Sequence, residues 1–135
     1  MVLLGSTAPL LIDINLILQY MTLILLVIGY IKRKPFKTHG YLMLFVLIIT
    51  IGTTILIMAP RLLITLSSYG YPIIAHALLG IISIILGSLF AIRFILAVRN
   101  NRPLTCGTKI MMRLALVVWI IPILAGTMMY ITLYL

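Results

Sequence analysis

Four long apolar runs separated by three short polar links organise this sequence. The runs fall at about 10–31, 41–65, 72–98 and 110–135. Each exceeds the roughly 20 residues that a helix needs to cross the hydrocarbon core of a bilayer at ~1.5 Å per residue. The pattern predicts an all-α integral membrane four-helix bundle, with residues 1–135 forming one transmembrane domain. Pro35 breaks the link Lys32–Gly40, since proline disfavours continuing a helix. The link Leu66–Tyr71 holds Ser67, Ser68 and Gly70, and Pro72 opens the next helix at a favourable N-terminal position. The link Arg99–Lys109 carries Asn100, Asn101, Pro103 and Gly107. No link is long enough for a further domain, and no internal repeat stands out. The opening MVLLGSTAPLL has no basic segment ahead of its apolar residues, so the first run reads as a permanent span rather than a secretory signal.

Composition agrees. The chain is 64% hydrophobic and 8% charged, with a mean hydropathy of +1.35. Soluble domains are about one quarter charged, so this chain has too little polar surface to coat a globule in water. The net charge of +9 does not point to nucleic acid. Lys32, Arg33, Lys34 and Lys37 flank the first link, and Arg93, Arg99, Arg102, Lys109 and Arg113 lie on or beside the third. These are nine of the ten basic residues, and an alternating bundle puts both links at one end. The positive-inside bias then places the basic links in the cytoplasm and both termini on the outer side. The expected surroundings are a lipid bilayer and other membrane subunits, in a multi-pass cell-membrane protein of prokaryotic plasma-membrane type. The lone Cys106 excludes an internal disulfide and a cysteine metal cluster within one chain.

Depth along the spans sorts the polar residues. His39 falls at the cytoplasmic mouth of the second span, and His76 falls about one turn inside the outer end of the third. They are roughly 25 Å apart along the membrane normal, too far to share one metal ion. Met58, Met128 and Met129 lie near the depth of His76. A histidine with thioethers is a soft site suited to copper(I) or one axial side of a haem, although methionine also fills gaps between helices. After His76 come Gly80, Ser83, Gly87 and Ala91 at spacings of three or four. Such a stripe allows close helix packing, or leaves room for a flat ring such as haem or quinone. His39 and Met43 are four apart and share a face, with Met111 and Met112 at a similar depth. Read alone, His39 is an interfacial residue beside Lys37 and Tyr41. Asp13, the only acidic residue, and Arg61, the only basic residue at the outer end, are expected to form an ion pair, because lone charges near lipid are costly. Arg93 is expected to snorkel from the third span.

Several activities are excluded. The chain has no phosphate-binding loop, no pair of carboxylates, and no material for a hydrolytic triad. It is not expected to be an enzyme, and any redox chemistry would need a bound cofactor. Four short spans without an acidic residue at mid-depth also argue against a proton-coupled transporter.

The order of Asn15, Gly29-Tyr30, a basic loop, His39-x-x-x-Met43, His76 and then Trp119, Gly126 and Tyr130 resembles the small polytopic membrane proteins of the YozB/CtaM type. The match runs through most of the chain. It implies a four-helix core and a link to assembly or maturation of a haem–copper terminal oxidase, and some relatives look like membrane b-type cytochromes. The family tends to carry a histidine in the link before the last span. Here Cys106 and Lys109 occupy that region, which counts against carrying over a cytoplasmic metal or haem site and shifts the expectation to His76, or to no cofactor at all. The resemblance also implies a place for His39 and Met43 in cofactor binding. The leading expectation is an accessory or assembly subunit of a membrane-embedded respiratory or metalloenzyme complex, most directly a haem–copper oxidase. The alternative is a small haem- or copper-binding protein for electron transfer or metal delivery, and the third reading is a small transporter.

Overall fold

A computed structural model of the chain describes residues 5, 7–104 and 108–135. Its helices are α1 (Leu10–Ile31), α2 (Phe36–Thr53), α3 (Ala59–Tyr69), α4 (Tyr71–Arg99) and α5 (Lys109–Tyr134). A single π-helical turn, Thr54–Met58, joins α2 to α3. Four segments are long and apolar enough to cross a membrane: Leu10–Ile31, Phe36–Ile64, Tyr71–Arg99 and Lys109–Tyr134.

The first and second links are shorter than the sequence suggests. Pro35 stands at the N-cap of α2, so the helix resumes at Phe36 and His39 lies in its first turn. A proline stops a helix from its interior but suits a helix start, and the second role applies here. In the second link the helix runs through Ser67 and Ser68 to Tyr69. Gly70 alone makes the break, at φ +59°, a left-handed conformation that glycine adopts without a Cβ penalty. Pro72 sits in the first turn of α4 as expected. The π turn has a local cause in Pro60. Its ring crowds the carbonyl four residues back and it has no N–H to donate, so the preceding turn widens.

The spans pack in cyclic order α1, α2, α4, α5, with α5 closing against α1. Thr7 donates from its backbone N–H to the Tyr134 carbonyl at 3.0 Å, which brings the two chain ends together. The core is small: Leu26, Val46, Leu47, Trp119 and Ile123, with Met43, Ala91 and Leu116 packed against it. Large apolar residues such as Leu56, Leu63, Leu89 and Leu124 are exposed along the spans, as a lipid-facing surface requires. Close approach depends on glycine at three places. A Cβ on Gly29 would overlap Met43, one on Gly40 would overlap the Phe94 ring, and one on Gly87 would overlap the Trp119 ring.

Pro122 interrupts α5 and withdraws the N–H that the Val118 carbonyl would otherwise accept. The Ser83 hydroxyl of α4 lies 2.9 Å from that carbonyl and 2.9 Å from Leu79 O of its own helix. Leu79 O already has a helical donor in the Ser83 N–H. The hydroxyl proton therefore serves the carbonyl that proline orphaned, inside a region where water cannot.

Candidate functional site

Among the described residues, two cavities stand out within the bundle, and Trp119 lines both. The larger, about 480 Å³, is at the basic end. His39, Met43, Phe90, Phe94 and Met112 line it, with Arg93, Asn100 and Arg102 at its polar margin. Residues flanking both basic links meet here, so those links do lie at one end. The volume and the mix of apolar walls with a few polar groups are those of a small-molecule site.

His39 is buried. Its Nδ1 lies 2.8 Å from the Gly29 carbonyl. That carbonyl belongs to the last turn of α1, where acceptors outnumber helical donors. A carbonyl only accepts, so Nδ1 carries the proton and Nε2 keeps its lone pair. Metal-binding histidines are commonly oriented by such a second hydrogen bond. Met43, one turn along the same face, packs on Gly29, so the i, i+4 pair is first of all a clamp between α1 and α2. Met112 reaches the same cavity from α5, across from α2. The cavity thus brings together an imidazole whose Nε2 keeps its lone pair, a thioether on another helix, aromatic walls and two arginines.

The second cavity, about 50 Å³, lies toward the chain-terminal end. Gln19, Thr54, Met58, His76 and Ser83 line it, together with Thr22, Thr50, Thr53 and Gly80. His76 packs against Gly126 of α5, where an added Cβ would come within 3.0 Å of Cε1. Its Nδ1 is buried, and although the Pro122 carbonyl is close by, no hydrogen bond of normal geometry reaches that nitrogen.

The structure brings together only part of the methionine set read from the sequence. Met58 shares the small cavity with His76. Met128 is 65% exposed on the lipid-facing side of α5, and Met129 is half-buried and does not line the cavity. The stripe on α4 divides as well. Ser83, Gly87 and Ala91 serve packing, whereas Gly80 faces open space with no atom within 4 Å of where its Cβ would stand. Asp13 is fully buried and accepts the Tyr130 hydroxyl at 2.6 Å. Sequence reasoning missed that partner, because residues 13 and 130 are near only once α1 and α5 close the bundle. Arg61 is half-buried on α3. Cys106 lies outside the described residues. Among the described residues, no three of His, Cys, Asp or Glu are grouped to hold a metal.

No family model matches the chain, and no curated protein or solved structure matches it significantly.

Proposed function

We propose that this chain is an accessory or assembly subunit of a membrane-embedded respiratory complex, a haem–copper terminal oxidase foremost, and that it holds an amphipathic cofactor, haem b, at its basic end. One observation carries the reading: His39, with Nδ1 tied to the Gly29 carbonyl, lines a cavity of about 480 Å³ with aromatic walls and an arginine margin. His39 Nε2 and the Met112 thioether would hold the haem iron, and Arg93 and Arg102 would pair with its carboxylates. A haem bound there supplies a one-electron couple. The chain's own part is to orient the His39 ring through the Gly29 carbonyl and to wall the cavity against water with Phe90, Phe94 and Trp119. The order of motifs that resembles the YozB/CtaM type supports the oxidase as partner. Short links leave little of the chain in water, which suits a protein whose contacts are lateral ones within the membrane.

In this reading the basic end faces the cytoplasm and both termini lie outside. Labelling Cys106 in sealed cells with an impermeant thiol reagent is expected to fail until the membrane is opened, and labelling from outside overturns the orientation. The functional test is native separation of the source membranes in a mild detergent, with an absorption spectrum of the band that contains the chain. Migration with a large haem-containing complex is the expected result. Migration alone, without a haem spectrum, overturns both halves of the proposal.

A further inference from the structure

The small cavity beside Trp119 has a chemistry of its own, independent of what occupies the larger one. Its hydroxyls have already committed their protons: Thr22 to Gln19 O at 2.7 Å, Thr50 to Val46 O at 2.9 Å, Thr53 to Ile49 O at 3.0 Å and Thr54 to Thr50 O at 2.7 Å. What these oxygens present elsewhere is lone pairs, so the lining favours a cation over an anion. His76 Nδ1 is buried without a hydrogen-bond partner, and an imidazole nitrogen left so inside a protein is costly. The Met58 thioether lies among polar groups rather than apolar ones, with Gln19 Nε2 at 3.9 Å and Thr54 Oγ1 at 4.0 Å. Both are long hydrogen bonds accepted by the sulfur, weak enough for a bound soft cation to displace. Met58 closes the π turn, and single π turns recur at functional sites.

We propose that this cavity is a binding site for one Cu(I) ion, held by His76 Nδ1 and Met58 Sδ. The lining contains no carboxylate, which a hard divalent cation such as Ca²⁺ requires, whereas a thioether with an imidazole suits a soft monovalent metal. A volume of about 50 Å³ has room for one ion and little besides. Gly126 is a positioning residue, since its missing Cβ sets how far the His76 ring enters.

The test uses the full chain purified in detergent without oxygen, with Cu(I) titrated against a chromophoric Cu(I) chelator. One Cu(I) per chain is expected. His76→Gln and Met58→Leu each lose it, whereas Met128→Leu keeps it. Gly126→Ala weakens binding by about tenfold or more, the usual effect of disturbing a ligand's support. X-ray absorption on the wild-type chain is expected to show nitrogen and sulfur around copper, a readout that does not depend on any variant folding. No uptake overturns the proposal, as does equal uptake by His76→Gln and Met58→Leu, or a copper environment without sulfur. A haem spectrum unchanged by these variants keeps the two sites distinct, so failure here leaves the larger cavity's reading standing.

Discussion

Replacing Ser83 with alanine tests whether a side chain from one span completes the backbone of another. Ser83 is 2% exposed and its hydroxyl is 2.9 Å from the carbonyl that Pro122 leaves without a helical donor. A hydrogen bond between membrane helices is worth about 0.6 kcal/mol on average and at most ~1.7. A buried acceptor stranded without a donor adds a penalty of about 1–3 kcal/mol when nothing relaxes. The expected cost of Ser83→Ala is therefore about 1–2 kcal/mol. The same substitution in a Pro122→Ala background is expected to cost less than about 0.5 kcal/mol, because the alanine that replaces the proline donates its own N–H to Val118 O through the helix itself. Reversible unfolding in mixed micelles, followed by circular dichroism across the four chains of this cycle, gives the coupling as a difference. If Ser83→Ala costs the same in the Pro122→Ala background as in the wild type, the serine is not compensating the proline and the reasoning fails.

Other substitutions probe separate contacts by the same assay. Gly87→Val puts a side chain into the space of the Trp119 ring and is expected to cost about 1–3 kcal/mol, with a shift in tryptophan fluorescence; an unshifted spectrum would mean that the indole does not rest on Gly87. Tyr130→Phe removes the hydroxyl 2.6 Å from Asp13 and is expected to cost about 1–3 kcal/mol, and Asp13→Asn in the same chain should recover part of it. Thr108→Ala removes the side-chain cap on the Met111 N–H and should destabilise by about 1 kcal/mol, which local hydrogen exchange at the start of α5 can detect.

Much of the fold was legible in the sequence because a bilayer allows few solutions. Apolar length gave four spans within a few residues, apart from the start of the second, where Pro35 begins a helix instead of ending one. The π turn was less legible: Pro60 was the signal, and its effect falls on the turn before it. The candidate sites were only partly readable. Depth arithmetic separated His39 from His76, which line different cavities, and placed Met58 near His76. It could not assign faces, so it grouped Met128 with residues that α5 turns away from. Helices almost uniformly apolar around their circumference carry little information on which side is inward.

Several of the glycines, aromatic residues and histidines singled out in the sequence have partners across the bundle. Gly29 accepts His39 and seats Met43; Gly126 seats His76; Trp119 rests on Gly87; Tyr130 donates to Asp13. Each of these pairs joins two spans. Such a set holds a bundle together where lipid removes the hydrophobic drive for helices to associate. His39 Nε2 and His76 Nδ1 take no part in these contacts.

The most direct test of the central claim is a reduced-minus-oxidised visible spectrum of the purified chain, wild type against His39→Ala, each loaded with haem and freed of excess by gel filtration. The account predicts stoichiometric haem bands in the wild type and none in a variant that still elutes as a folded species. Wild-type protein that retains no haem, or a variant with the same spectrum, would contradict it.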